Sequence, residues 1–137
     1  MWLIRASMVH LLSGALLGAA YLSLKAAGWF VFSASHLPVH VEQMLIGWLV
    51  QLVIGVAYWI LPRRAEQDPV VHTRLMWLVF VLLNGGVLVA ALGEDPGLPR
   101  GLALGGRIAE TLAVVLFASH AWRRQRAYRA GARTVLV

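Results

Sequence analysis

Long apolar stretches broken by short charged ones dominate the chain. Nineteen residues without Arg, Lys, Asp or Glu separate Arg5 from Lys25, twenty separate Glu42 from Arg63, and nineteen separate Arg74 from Glu94. A fourth stretch, about Gly101 to Trp122, is apolar apart from Arg107 and Glu110. A helix needs about 20 mainly apolar residues to cross hydrocarbon. The pattern therefore predicts one all-α domain over 1–137, a four-transmembrane-helix bundle with helices near 3–25, 38–61, 73–92 and 101–123 and a basic tail at 124–137. Breakers and charges mark two connections: Pro62-Arg63-Arg64 through Asp68-Pro69, and Gly93-Glu94-Asp95-Pro96-Gly97 with Pro99. The first connection, Ala26 to Leu37, is apolar and aromatic, which suits the membrane interface or the bundle surface. The first apolar stretch exceeds the usual h-region of a signal peptide, so it is expected to stay as a span.

Composition agrees. The 137 residues are 60% apolar and 13% charged, with a mean hydropathy of +0.74, against about 25% charged for an average soluble protein. So small a soluble domain has too much surface per volume to hide that apolar content. A soluble enzyme, a disordered chain and a collagen-like fibre are excluded. With no Cys, disulfides, thiolate-bound metals, iron–sulfur clusters and c-type haem are excluded as well.

The net charge of +6 is better read by position than as a sign of nucleic acid. Arg5, Arg63, Arg64, Arg74, Arg123, Arg124, Arg126, Arg129 and Arg133 fall on one side of the four spans, and Lys25 and Arg100 on the other. Basic residues favour the cytoplasmic side. The expected topology is an inner-membrane protein with both termini cytoplasmic, loops 1–2 and 3–4 outside, and no nucleic-acid partner. The tail RRQRAYRAGAR is then a lipid-facing stop signal.

Polar residues at membrane depth normally face protein, a cofactor or water. At 100° per residue, His40, Met44, Gly47, Gln51, Gly55 and Tyr58 share one stripe of the second helix, and His36 joins it if the helix starts early. Glu42 falls on the opposite face. Gly47 and Gly55 serve either close helix packing or a flat ligand beside His40. Gln51 and Tyr58 suit interhelical hydrogen bonds. On the first helix, Gly14 and Gly18 have the small-xxx-small spacing. Asn84 reads as a buried polar contact. Arg107 and Glu110, three apart, are placed to pair with each other. His72 and His120 read as interfacial, and His10 lies deeper.

Residues 40–63, HVEQMLIGWLVQLVIGVAYWILPR, resemble a helix of the haem–copper oxidase and nitric oxide reductase superfamily. In its small members and in the nitric oxide reductase-like branch, H-x-H-x-x-L-L-G-W is followed by I-x-G-V-x-Y and then P-R. His40, Leu45, Gly47, Trp48, Ile54, Gly55, Val56, Tyr58, Pro62 and Arg63 match. The resemblance implies one four-helix arc of a catalytic subunit built from three such arcs, with His40 as axial haem ligand. Glu42 stands where the family has its second His, which argues against a dinuclear or copper centre and against a complete oxidase or reductase.

Without Cys, the implied cofactor is haem b. His40 would ligate its iron; Gly47, Trp48, Trp29, Phe30 and Phe32 would shape the slot; Arg100, Arg107 and Lys25 would meet the propionates. Gln51 belongs to the same stripe. Axial ligands approach iron from opposite faces. His36 and His40, one turn apart on one side, do not sandwich one haem. A six-coordinate iron then needs His36 or His40 of a second copy, or Met44; otherwise the iron is open to nitric oxide, oxygen or carbon monoxide. Self-association follows, with a homotrimer favoured over a dimer, because three arcs rebuild the twelve-helix outline. The leading expectation is a haem b protein for electron transfer or diatomic-gas binding, with a respiratory redox partner. The alternatives are a non-catalytic accessory or assembly subunit of a respiratory oxidase or reductase, and a membrane protein holding copper or another transition metal through His36, His40 and Glu42.

Overall fold

The computed structural model describes residues 2–28, 36–61, 69–99 and 101–134, with side chains over 2–28, 37–61, 73–99 and 101–125. It is all-helical. Helix α1 is Trp2–Ala26. Helix α2 is continuous but built of three stretches: α-helical His36–Glu42, π-helical Gln43–Val50 and α-helical Gln51–Ile60. Helix α3 is Pro69–Leu92 and α4 is Gly101–Thr134. Four stretches, Trp2–Ala26, Leu37–Ile60, Thr73–Leu92 and Gly101–Gln125, are long and apolar enough to cross a membrane.

The helix ends follow local chemistry. Gly28 ends α1 with φ +74°, a left-handed conformation that favours glycine. Leu61 precedes Pro62, whose ring pushes it to an extended ψ of 131° and stops α2. Pro69 opens α3 at the position where its missing N–H costs no helical bond. In the α3–α4 turn, Asp95 Oδ1 accepts a bond from the Gly97 amide at 2.8 Å. The fourth helix runs to Thr134, well past the expected end at 123. Its continuation is rich in Arg and Ala, good helix formers that need no burial.

Side-chain pairings give the topology. From Gly18–His40 through Gly14–Met44 and His10–Gly47 to Ile4–Gly55, α1 and α2 run antiparallel. Gly93 meets Ala103, and Gly86 meets Glu110, so α3 and α4 are also antiparallel. Trp2 with Trp77 and His10 with Asn84 set α1 and α3 in one direction. The bundle is thus up-down-up-down. Its core joins Leu3, Ile54, Met76, Val79, Leu83, Ala113 and Phe117 from all four helices. Many large apolar side chains point outward, among them Leu12, Val53, Val81 and Leu112, as a helix in lipid requires.

The closest approach is between α3 and α4. A Cβ on Gly106 would collide with the Ala90 backbone nitrogen, and one on Gly86 would lie 2.6 Å from Glu110 Cγ. The Gly106→Val protein should lose about 2 kcal/mol of stability or more, since backbone has to move to admit the branch. A melting temperature in detergent equal to wild type would contradict this contact.

Candidate functional site

His40 enters the site from the first stretch of α2. Its Nδ1 is 2.7 Å from the Gly14 carbonyl oxygen, and its ring lies against Gly18, where a Cβ would be 2.6 Å from Cε1. A carbonyl oxygen only accepts, so Nδ1 donates. In the neutral ring Nε2 would then carry the lone pair, and it has no hydrogen-bond partner among the described residues.

The predicted stripe of α2 exists, and it faces α1. Met44 Sδ sits over Gly14, Gly47 receives the His10 ring, and Gly55 receives Leu3 and Ile4. Gln51 is fully buried and donates from Nε2 to the Leu3 carbonyl at 3.3 Å, while its Oε1 is unpartnered. Trp48 Nε1 is likewise buried without a partner among the described residues. The glycines therefore serve close packing, and their spaces are filled by side chains of this chain. Met44 lies on the same face as His40, one turn along, so it does not approach a metal from the side opposite His40.

A second group was not legible as a unit. His10 is flanked by Asn84 Oδ1 at 3.0 Å from Nε2 and by Gln43 Oε1 at 3.4 Å from Nδ1. Ser13 also donates to Gln43 Oε1. Asn84 Nδ2 donates to the Phe80 carbonyl at 2.8 Å, which turns Oδ1 toward His10 and makes His10 Nε2 the donor. Three helices meet here, at the level where α2 is π-helical. The wide turn, in which the Gln51 amide reaches back to Ile46 O, brings Gln43 to the α1 side beside Met44. Such turns recur at functional sites. Four polar side chains inside apolar spans were the available signal; their meeting depends on tertiary register.

Glu42 turns the other way, to α4. Arg107 contacts Glu94 at 2.9 Å and Glu42 at 3.8 Å. These, rather than the neighbouring Glu110, are its ion pairs among the described residues, and they leave its guanidinium engaged rather than free for a propionate. The Thr111 hydroxyl bonds the Arg107 carbonyl at 2.8 Å.

His40 and Glu42 thus face different helices, and no group of three His, Cys, Asp or Glu positioned for a metal occurs among the described residues. The side chains of His36, Arg100, Trp29, Phe30, Phe32 and His72 lie outside the described residues. Lys25 is exposed at the end of α1. A cavity of about 190 Å³ lies at the other end of the bundle, walled by Trp2, Tyr58, Trp59, Trp77 and Phe80, far along α2 from His40.

As a haem site, the donor fits and the slot does not lie within the seam. A neutral imidazole with Nδ1 tied to a carbonyl is the usual state of a ligating His, but the α1–α2 seam has no room for a macrocycle. Comparison with protein-family models, curated sequences and solved structures finds no match.

If the His10–Asn84 contact ties α1 to α3, His10→Phe and Asn84→Leu should each destabilise, and the double variant should cost less than their sum by about 1 kcal/mol. Strict additivity in a double-mutant cycle would show that the two side chains do not interact.

Proposed function

We propose that the chain is a membrane haem b protein that transfers electrons or binds a diatomic gas such as nitric oxide or oxygen, and that His40 would hold the haem iron through Nε2. One observation carries this reading: the Nδ1 bond to Gly14, 2.7 Å long, which makes Nε2 the nitrogen without a partner among the described residues. When bound, the haem supplies the redox or gas-binding iron. The chain holds the imidazole in one tautomer and orientation through Gly14 and Gly18, and its lack of Cys makes the attachment non-covalent. Because the seam is full, the macrocycle needs the apolar outer surface, which fits a boundary between copies. A homotrimer in the cytoplasmic membrane, with the arginine-rich side inward, is the assembly this reading favours, and a dimer is the alternative. A respiratory-chain protein is the expected redox partner.

A second reading is favoured by the same packing. Every glycine space along the α1–α2 seam is filled from within the chain, and Glu42 is engaged by Arg107. A subunit that keeps the helical arc and serves assembly of a respiratory oxidase or reductase, with no cofactor of its own, would look like this. Copper or another transition metal at His40, His36 and Glu42 has less support, since Glu42 faces away from His40.

The visible spectrum of the protein purified in mild detergent separates the readings. A Soret band that is lost in His40→Ala, with helical circular dichroism retained, is the expected result. Carbon monoxide added to the reduced protein should shift the band if the sixth position is open. Absence of a Soret band after haem supplementation, or a band unaffected by His40→Ala, would leave the accessory-subunit reading.

A further inference from the structure

At the end of the bundle away from the α3–α4 turn, five aromatic side chains wall one cavity of about 190 Å³: Trp2 of α1, Tyr58 and Trp59 of α2, and Trp77 and Phe80 of α3. The buried Leu3 and Met76 line it from the core side. Trp2 and Trp77 have ring centres 6.1 Å apart, and Phe80 meets Trp77 edge-on at 5.4 Å. The cavity is open rather than enclosed, and Trp2, Trp59 and Trp77 are all exposed on the outer surface. Trp and Tyr gather at membrane interfaces in any case. A belt of that kind spreads its rings around a bundle, whereas here three helices contribute theirs to one space.

The charged side chains described at this end are all basic: Arg5 of α1, Arg74 of α3, and Arg123 and Arg124 of α4. Residues 62–68 add two Arg and two acids in sequence, which leaves the sign unchanged. Arg124 is committed to the Leu61 carbonyl. Arg5 and Arg74 are exposed, and each directly follows a lining residue, Ile4 and Thr73. Arg5 Cζ lies 5.7 Å from the centre of the Trp2 ring. Such stacking uses the face of a guanidinium, while its N–H groups lie along the edge, where they can meet oxygen. The cavity has room for about six groups of the volume of a water molecule, which suits part of a hydrocarbon chain. Aromatic walls also suit a quaternary ammonium, but arginines on the rim repel a cation. A twofold contact with a second copy through this face would set arginine against arginine. An anion carrying an apolar chain meets neither objection.

We propose that this cavity is a binding site for one anionic phospholipid, with the phosphate held by Arg5 and Arg74 and the upper part of one acyl chain seated between Trp2, Tyr58 and Trp77. Basic pockets between membrane helices take such head groups. A lipid seated there touches α1, α2 and α3 together. The site lies far along α2 from His40 and needs no haem.

The test uses the full chain in maltoside micelles at fixed ionic strength. Phosphatidylglycerol brominated on the upper part of its acyl chains is titrated in while tryptophan fluorescence is followed, since bromine quenches the tryptophans it touches. Quenching should saturate at one lipid per chain. One arginine beside an anionic head group changes affinity about fivefold, so phosphatidylcholine brominated in the same way should need roughly 25-fold more lipid. The Arg5→Gln/Arg74→Gln double variant should erase that difference, while Arg123→Gln, on the helix that does not line the cavity, should keep it. Thr73→Phe, which fills the cavity from its exposed rim, should abolish the saturable quenching; should it fail to fold, the arginine pair carries the test. Glycerol phosphate should not compete, because it lacks the chain. Quenching that never saturates, or a preference indifferent to the arginine pair, would overturn the site. Tighter binding of phosphatidylcholine would overturn it in favour of a quaternary ammonium. A fall in oligomeric mass in Thr73→Phe, with no lipid dependence, would overturn it in favour of a second copy of the chain.

Discussion

The reciprocal fit of α1 and α2 is the contact on which the site depends. Lipid is as apolar as leucine, so helices in a membrane gain little from hiding apolar surface from each other; they associate through close van der Waals packing and hydrogen bonds. Here each helix offers glycines to the other's bulk. Gly14 and Gly18 of α1 take Met44 and His40; Gly47 and Gly55 of α2 take His10 and the Leu3–Ile4 pair. The close approach puts the Gly14 carbonyl within reach of His40 and the Leu3 carbonyl within reach of Gln51. The imidazole orientation of the proposed iron ligand is thus a product of helix packing, with no dedicated loop or cap involved.

Much of this was legible because lipid makes sequence rules strict. Charge-free stretches near twenty residues predict the spans, and the Pro62-Arg63-Arg64 breaker predicts the end of α2. The stripe from His40 to Tyr58 could be read at 100° per residue, and it does share one neighbour. What periodicity could not supply was the identity of that neighbour. Gly47 has the same spacing whether it faces a ligand or His10. Arg107 and Glu110 sit three apart on one helix, but an arginine side chain is long enough to prefer carboxylates on the turn and on α2. The π-helical stretch has no local marker: QMLIGWLV would form an ordinary α-helix on propensity alone. His10 and Asn84 lie 74 residues apart, so only the fold brings them together.

The extension of α4 to Thr134 has a different origin. The expected boundary at 123 marks where apolar sequence ends, which is where a membrane would end, and helix formation has no need to stop there. Arg124 Nη2 donates to the Leu61 carbonyl at 2.9 Å and is itself buried. It thereby satisfies a carbonyl at the end of α2 that the Pro62 break leaves without a helical partner. An arginine that reads in sequence as the first charge of a basic tail is, in the fold, part of the closure between α2 and α4.

Residues 42 and 43 show why the polar groups matter for the register of α2. Adjacent in sequence, they serve opposite neighbours: Glu42 meets Arg107 of α4, while Gln43 meets Ser13 and His10 of α1, and His10 continues to Asn84 of α3. Two consecutive side chains thereby touch networks that span all four helices. A slip of α2 by one residue would place either Glu42 between Ser13 and His10 with Val41 beside Arg107, or Gln43 beside Arg107 with Met44 between Ser13 and His10. Both polar sets would then be mismatched, and in a membrane there would be no water to satisfy them. Leucine-rich faces tolerate such a slip at little cost, because one apolar contact replaces another. The polar pair therefore discriminates against it.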